Sequence, residues 1–230
     1  MIFVWGGNGT VQRCIDALVG RAAAIAILPA GTANLLVTNL GVPTYLVEAV
    51  RVGLRGHRRP IDTGSANGEH FAVMAGAGFD ALMIRDADGG MKDRIGRAAY
   101  VWTGAKNLAA SRGKATVDVD GQRFFKGLVS CVLAGNGVLE LGIVTAKNPV
   151  QWIRTLGRVA VGKTDKSPFA QTTRGKKFKI CFDRPFAYEL DGGARPSTKR
   201  LRIRVHPSSI LICVPARAKP EISSGAVDQN

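Results

Sequence analysis

The stretch Trp5-Gly6-Gly7-Asn8-Gly9-Thr10 decides the fold, because it places three glycines in four positions between an apolar run and a helical pattern. Met1–Trp5 has the composition of a buried strand, and Val11, Ile15 and Leu18 fall on one helical face. The turn therefore joins a strand to a helix. Glycine lets a ligand approach the backbone, and the amides that open a helix attract anions. The pattern predicts a phosphate-binding turn, with a purely structural strand–helix turn as the alternative.

A second strand–helix junction follows about twenty residues later. Ala24–Leu28 is an apolar strand pattern, and Pro29-Ala30-Gly31-Thr32-Ala33-Asn34 again combines a glycine with a hydroxyl and an amide. In a parallel sheet two such turns lie side by side at the carboxyl edge of the strands, where α/β proteins bind ligands. We expect the two turns to cradle one polyphosphate, with hydroxyl groups from Thr10 and Thr32. Each of these residues is equally suited to a local helix cap.

Residues 1–60 alternate strand and helix, which predicts α/β layering with a parallel sheet. The second helix pattern ends at Gly41 with Pro43 just beyond, and a third, capped by Thr44, runs to about Leu54. After Pro60 the pattern changes, and Asn67-Gly68 between apolar runs predicts a β-hairpin.

The remainder of the chain favours a β-sandwich. A mostly helical stretch is expected over 80–108, and another helix begins at Pro149. We divide the chain into an α/β domain at 1–60, a sandwich domain at 61–216 and a polar tail at 217–230. Short strand patterns bounded by turns cover the following segments: Ala115–Val119, Phe124–Leu133, Phe178–Phe182, Leu201–Val205 and Ile210–Val214.

The charge balance predicts an anionic partner. Thirty-two Lys and Arg residues oppose 17 Asp and Glu residues, giving a formal charge of +15. The basic clusters contain few aromatic residues, on which the bases of nucleic acid could stack. An anionic membrane is therefore favoured over nucleic acid as the partner. A merely solvated surface is the alternative. No apolar run approaches the roughly 18 residues of a membrane span, and four scattered cysteines suit a reducing cytosol. We expect a cytoplasmic protein in peripheral contact with membrane.

Two further motifs match nucleotide-binding patterns out of context. Gly157–Thr164 has the spacing of a P-loop but lies at the end of the Pro149 helix pattern, whereas a P-loop follows a strand. Gly76–Ala81 is similar to a dinucleotide-binding turn but follows a hairpin. We interpret both as structural.

Five ordered motifs resemble those of the diacylglycerol kinase catalytic-domain family. They are Gly6–Thr10, Leu28–Asn34, Asn39–Pro43, Gly76–Ala81 and the late Asp191-Gly192-Gly193. The resemblance implies a lipid kinase that moves the γ-phosphoryl group of MgATP onto a lipid hydroxyl, of diacylglycerol or a sphingoid-type acceptor. It also implies a fold like that of NAD kinase, with a partial α/β nucleotide-binding domain followed by a β-sandwich-type domain.

The resemblance assigns roles to individual residues. Asp191 would be the general base on the lipid hydroxyl, a recurring part in phosphoryl transfer. The ATP phosphates would be bound by the two turns, through Gly6, Gly7, Asn8, Gly9, Thr10, Gly31, Thr32 and Asn34. No residue pattern specifies the metal ligands, the acceptor lipid or the oligomeric state.

Four departures from the family pattern predict impaired activity. Asn8 replaces an Asp, and Gln12-Arg13 stands where a Glu is usual. The family's first strand and Asn-Pro loop have no counterpart, so we interpret the chain as N-terminally truncated. An acidic loop that can hold magnesium is replaced by residues 135–140, and Gly193 replaces a Glu as a lesser change. The alternatives are a weakly active or inactive remnant that binds lipid or anionic membrane, and an NAD kinase.

Overall fold

A computed structural model describes residues 1–31, 34–78, 112–135, 140–145, 151 and 169–216. The helices are α1 (Asn8–Leu18), α2 (Leu35–Leu40) and α3 (Leu46–Arg55). The strands are β1 (Ile2–Gly6), β2 (Ala24–Pro29), β3 (His57–Ala66), β4 (Glu69–Phe71), β5 (Met74–Gly78), β6 (Gly113–Val119), β7 (Gln122–Val129), β8 (Cys131–Gly135), β9 (Glu140–Val144), β10 (Ala170–Arg174), β11 (Lys177–Leu190) and β12 (Gly193–Val214).

The first structural layer is a parallel sheet covered by helices on both faces. β2 pairs in parallel with β1 on one side and with the end of β12 on the other. Alternate residues of β2 face opposite ways: Ile25 and Ile27 join the core beneath α1 and α2, whereas Ala24 and Ala26 face α3. A strand buried on both faces explains why the apolar run at 24–28 is continuous. The predicted α/β layering with a parallel sheet is confirmed.

The second structural layer is an antiparallel assembly built around β11 and β12. β11 pairs with β12, β5 and β6, and further strands extend the path through β8 and β9 to β10. Its core is apolar and fully buried, with Phe71, Ile180, Leu190 and Ile203 among its largest side chains. Together with the parallel layer this gives the predicted order of an α/β part followed by a β-rich part.

β12 belongs to both layers, because it is a single strand of 22 residues. Its first half pairs with β11, and its last residues, Ile210–Val214, pair with β3 while Leu211 and Ile212 also pair with β2. Ile210, Ile212 and Val214 lie in the same core as Val4 and Ile15. The domain boundary at residue 60 stays a prediction. In such a division the α/β domain would also include Ile210–Val214, the end of β12.

Several local predictions need correction. Phe124–Leu133 forms two strands, β7 and β8, since Ser130 interrupts the pairing and binds Val144 O through both its backbone amide and its hydroxyl. Leu201–Val205 and Ile210–Val214 are parts of the one strand β12, and β10 was not predicted. α3 has Tyr45, not Thr44, at its N-cap position.

The turn predictions are confirmed. Asn67 and Gly68 both have positive φ, at 53° and 98°, as a tight hairpin turn requires. Gly41 ends α2 with a φ of 66°, in the left-handed conformation typical of a C-terminal cap. Several sequence predictions lie wholly or partly outside the described residues: the role of Thr32, the end of the Gly76–Ala81 motif, the helix over 80–108, the helix at Pro149 apart from Gln151, the P-loop-like segment 157–164, the loop centre at 136–139 and the tail from 217.

Candidate active site

The two glycine turns are in backbone contact. A Cβ added at Gly31 would lie 2.7 Å from the Cα of Gly7, and one added at Gly7 would lie 3.2 Å from the Cα of Gly31. A hydrogen bond of 3.1 Å from the amide of Ala30 to the carbonyl of Gly6 ties the turns together. A side chain at Gly31 would collide with the backbone of Gly7, and one at Gly7 would be crowded by Gly31. The predicted juxtaposition of the two turns at the carboxyl edge of β1 and β2 is therefore present.

The first turn leads directly into α1, which begins at Asn8 with Gly7 as its N-cap. The amides of the first helical turn have no partner inside the helix, so their hydrogens are directed outward. A Cβ added at Gly9 would meet no atom within 4 Å, which leaves the approach to these amides open. Thr10 folds back over the turn, with its Cβ 2.6 Å from where a Cβ of Gly6 would lie. The arrangement suits an anion such as a phosphate.

The second turn is closed by Asn34. Its side-chain oxygen accepts a hydrogen bond from the amide of Gly31 at 3.2 Å, and its side-chain nitrogen donates to the carbonyl of Gly31. Asn34 itself adopts a left-handed conformation with a φ of 38° before α2 begins. Asn34 therefore holds the loop in one orientation. Thr32, the predicted hydroxyl donor of this turn, lies outside the described residues.

Asp191 lies at the turn between β11 and β12 and is 3% exposed. Its Oδ2 accepts the amide of Ala72 at 2.7 Å, and its Oδ1 accepts the amides of Val73 and Met74, each at 2.8 Å. Its own amide donates to the carbonyl of Met74 at 2.9 Å. The carboxylate thus fixes the segment that joins β4 to β5. Of about four lone-pair positions on a carboxylate, three are occupied by these amides, and the remaining one is on Oδ2.

Burial raises the pKa of the Asp191 carboxyl above its ordinary value, while the three amide hydrogen bonds and the nearby Arg195 act in the opposite direction. The backbone at Asp191 has a φ of 48° and at Gly192 a φ of 84°. Such left-handed conformations suit Asp and Gly in a tight turn. The late Asp-Gly pair is therefore both a turn and a buried carboxylate.

A polar network beside this turn was missed by sequence reasoning. The guanidinium of Arg195 forms a paired hydrogen bond with the carboxylate of Glu69, with Nε 2.8 Å from Oε2, and donates through Nη2 to Gln12 Oε1 at 2.9 Å. Gln12 is 1% exposed, and its Nε2 donates to Glu69 and to the carbonyl of His70 at 3.1 and 2.6 Å. Hydrogen bonding from Arg195 lowers the pKa of Glu69 below its ordinary value.

This network connects the first glycine turn to Asp191. Gln12 lies in the second turn of α1, and it holds the strand β4 that leads into the amides bound by Asp191. A Cβ at Gly193 would lie 2.8 Å from Nη1 of Arg195, so the glycine makes room for the guanidinium. The family pattern usually has a Glu where this chain has Gln12-Arg13. In the structure Glu69 supplies a carboxylate next to Gln12. Its contribution could not be read from motifs, because Glu69 and Arg195 are 126 residues apart.

A pair of histidines, His70 and His206, lies beside the network of Gln12, Glu69 and Arg195. The rings of His70 and His206 are 4.9 Å apart, Ser65 Oγ and His206 Nε2 share a hydrogen bond of 2.8 Å, and His70 Nδ1 is 3.1 Å from Asp16 Oδ1. Burial, with His70 and Arg204 nearby, lowers the pKa of His206 below 6.5. The fold therefore favours neutral His206.

We expect stability to fall as the pH drops below about 6.5, because the unfolded chain then binds a proton at His206 that the folded chain resists. The contribution of neutral His206 to the free energy of unfolding is complete above about pH 6.5, and it is lost as the pH falls towards the lowered pKa. His206→Gln, which retains a partner for Ser65, should flatten the decline of the urea midpoint between pH 8 and 5.5, while His57→Gln at an exposed site should not. An unchanged slope in His206→Gln would contradict the assignment.

The described residues contain no group of three or more His, Cys, Asp or Glu side chains that could hold a metal ion. At the first turn Asn8 offers a neutral amide rather than a carboxylate. Across the described ranges, no helix is both long and apolar enough to cross a membrane.

Comparison with known proteins supports the resemblance found in the sequence. The family model for the diacylglycerol kinase catalytic domain matches residues 1–66. The chain is 24% identical to a diacylglycerol kinase of Bacillus subtilis over 84% of its own length and 70% of that protein. It is 29% identical to a "probable lipid kinase YegS-like" protein of Pseudomonas aeruginosa over 92% of its length and 75% of that protein. These matches confirm the family resemblance, which the family model locates in residues 1–66.

The chain is shorter than these relatives. An uncharacterized protein of Synechocystis sp. is 24% identical over 93% of the chain, which spans 54% of that protein's length.

Solved structures confirm the fold class. A diacylglycerol kinase from Bacillus anthracis superimposes with a TM-score of 0.71 at 24% identity, covering 93% of this chain and 77% of that one. Yeast NADH kinase superimposes with a TM-score of 0.54 at 9% identity, covering 99% of this chain and 67% of that one. At these identities the likeness establishes the fold alone, which is an α/β part joined to a β-rich part as the sequence predicted.

Proposed function

We propose that the protein is an ATP-dependent lipid kinase that transfers the γ-phosphoryl group to the hydroxyl of a diacylglycerol or sphingoid-type lipid. The observation that carries the proposal is the backbone contact between Gly7 and Gly31, which brings two strand–helix turns together at one sheet edge. Relatives named as diacylglycerol and lipid kinases support the same activity.

The phosphate end of the site is assigned to Gly6–Thr10 together with Gly31, Thr32 and Asn34. The amides at the start of α1 would orient the phosphates, since their partial positive charge is fixed before the ligand arrives. The hydroxyl of Thr10 adds a donor beside them. Glycine at positions 7 and 31 keeps side chains out of the space that the phosphates need.

The acceptor end is assigned to Asp191. Its burial favours proton uptake, and the free acceptor position on Oδ2 would receive the proton of the lipid hydroxyl. The amides of Ala72, Val73 and Met74 hold the carboxylate in one orientation. Gln12, Glu69 and Arg195 act indirectly, by fixing the segment that carries these amides against α1.

Magnesium would enter with the nucleotide. Bound magnesium neutralises charge on the phosphates during transfer. Asn8 is the side chain at the first turn that could contact the ion through its amide oxygen. Because no acidic cluster is found within the described residues, the protein would hold the ion mainly through the nucleotide.

A weakly active or inactive lipid-binding protein is the second candidate. Asn8 in place of a carboxylate favours it, since a neutral amide binds magnesium less strongly than a carboxylate does. This candidate predicts ATP or lipid binding without appreciable turnover.

A phosphate-transfer assay with labelled ATP and magnesium tests both candidates. We expect phosphorylation of short-chain diacylglycerol or sphingosine dispersed in neutral detergent, at a rate below that of ordinary kinases, and none of NAD⁺. Nucleotide binding is measured separately by calorimetry. Binding without transfer to either lipid would support the inactive candidate, whereas phosphorylation of NAD⁺ alone would overturn the lipid assignment.

A further inference from the structure

We propose that one outer face of the β-rich layer is the surface through which the protein docks on an anionic phospholipid bilayer. The membrane setting rests on the proposed lipid-kinase function, whereas the surface itself is defined by the structure. We call it the cationic face. It consists of the exposed Lys and Arg side chains of four adjacent strands, β12, β11, β6 and β7: Arg200, Arg202, Arg204, Lys177, Lys179, Lys114, Lys126 and Arg123.

Strand register places these cations on one side of the sheet. Lys177 lies opposite Arg204 and Lys179 lies opposite Arg202 in the β11–β12 pair. The residues between them, Phe178 and Ile203 among others, are buried in the core. Because successive side chains of a strand point to opposite faces, the cations must all project outward.

The same face continues across two more strands. Thr116 of β6 pairs with Cys181 of β11 and with Lys126 of β7, so Lys126 joins the row that begins at Arg200. Lys114 lies two residues from Thr116 along β6 and is exposed. Eight cations are thus distributed over a four-stranded surface.

This arrangement costs stability, because like charges directly opposite each other on paired strands repel. The carboxylate groups on the face offset little of it. Asp118 lies opposite Lys179 and is hydrogen-bonded to Arg123, and Asp183 lies beside Lys114 and Lys126. Among the described residues, no ion pair neutralises Lys177, Lys179, Arg202 or Arg204. Because the cations of this face repel one another, binding of an anionic partner would relieve the repulsion.

The face contains two shallow depressions sized for lipid headgroups. One, of about 330 Å³, is lined by four cations, Lys177, Lys179, Arg202 and Arg204, and by one carboxylate, Asp118. The other, of about 550 Å³, is lined by Lys114 and Lys126 with the carboxylate of Asp183, and also by Leu128, which is 49% exposed. Cations around a depression with an apolar residue beside it match the interfacial region of a bilayer, where phosphates lie next to hydrocarbon.

A lipid surface fits this face better than nucleic acid does. The Phe and Tyr side chains of these strands belong to the core or pack against it, so they offer no platform on which bases could stack. They are Phe124, Phe125, Phe178, Phe182, Phe186 and Tyr188. A bilayer requires only a broad surface of positive charge. The occupant we infer is therefore a membrane rich in phosphate-bearing anionic lipid.

Vesicle co-sedimentation tests the proposal without ATP or any kinase substrate. The full chain is mixed with vesicles of phosphatidylcholine containing one third phosphatidylglycerol, or of phosphatidylcholine alone, at 0.1 M salt. The test variant is Arg202→Glu with Arg204→Glu, which converts two repulsive cross-strand pairs into attractive ones and should fold at least as stably as the parent. The control, Arg21→Glu with Arg55→Glu, makes the same change in net charge at exposed positions elsewhere.

We expect the parent to bind the anionic vesicles and not the neutral ones. The test variant should bind at least about 25-fold more weakly, given roughly fivefold per cation at such a surface. The affinity of the control variant for the anionic vesicles should differ from that of the parent by less than about threefold. Arg202→Lys with Arg204→Lys should restore binding.

Equal losses in the test variant and the control would overturn the proposal, because net charge alone would then explain binding. Absence of binding by the parent would overturn it as well. So would tighter binding to a single-stranded oligonucleotide than to vesicles at matched salt, if the test variant abolished it. Failure of the kinase proposal is recognised separately, by absence of lipid phosphorylation in neutral detergent, where the cationic face has no role.

Discussion

Replacing Asp191 by Asn should lower kcat/KM for lipid phosphorylation by about 100-fold or more, as expected for loss of a general base. The same change should destabilise the fold by about 2–3 kcal/mol. The amide oxygen can keep the bonds to Val73 and Met74, but the new NH₂ group then faces the amide of Ala72, donor against donor. Both effects are expected of one carboxylate, which we assign to the site and which also holds the segment between β4 and β5.

The pH dependence separates the two roles. If Asp191 is the base, kcat/KM of the parent should fall as the pH drops through its raised pKa, and the residual activity of Asp191→Asn should lack this acid limb. Activity is measured well below the unfolding temperature of the variant, so that only folded protein contributes.

The chain offers a matched control at Asp120. It occupies an equivalent Asp-Gly turn, with a φ of 49°, and its carboxylate accepts the amides of Lys176 and Lys177. It is exposed and distant in the sheet from the glycine turns, so Asp120→Asn should cost about 1 kcal/mol at most and leave activity unchanged. If the Asp191→Asn variant stays folded and its activity is within a few-fold of the parent's, the assignment of Asp191 as the base is contradicted.

Gly78→Ala should destabilise the protein by about 3 kcal/mol or more. Gly78 has a φ of 100°, which an L side chain rarely adopts, and an added Cβ would lie 2.4 Å from the carbonyl oxygen of Ser130. That carbonyl cannot shift freely, because the Ser130 amide and hydroxyl are both bonded to Val144. Urea denaturation of parent and variant measures the difference.

Gly121→Ala isolates the steric part of this effect. Gly121 has a similar φ of 91° but no atom within 4 Å of the added Cβ. It should therefore show only the conformational cost, about 1–2 kcal/mol. Equal losses at the two positions would mean that the contact with Ser130 relaxes, contrary to our expectation.

The sequence predicted those features whose chemistry lies within a few adjacent residues. The glycine turns, the Asn67-Gly68 hairpin and the helix end at Gly41 all depend on local backbone conformation, so they are visible in the order of residues. The contact between Gly7 and Gly31 was also predictable, since neighbouring parallel strands end at the same edge.

The features that the sequence did not reveal depend on pairing between distant segments. Glu69 and Arg195 have no motif around them, and only the fold brings them to Gln12. The cationic face likewise required the register of β11 against β12, without which Lys177–Lys179 and Arg200–Arg204 are two separate basic clusters. The break at Ser130 was missed because its cause is a bond to Val144 rather than a local turn residue.

The double membership of β12 also sets the order in which the molecule can be completed during translation. β2 pairs on one side with Leu211 and Ile212, which leave the ribosome long after β1, α1 and β2 have done so. Until then the nascent chain carries an open strand edge and an unfinished apolar core, and domains that close late in this way are prone to aggregate. Completion of the parallel sheet that carries the two glycine turns must therefore wait for synthesis of a strand whose first residues follow Asp191.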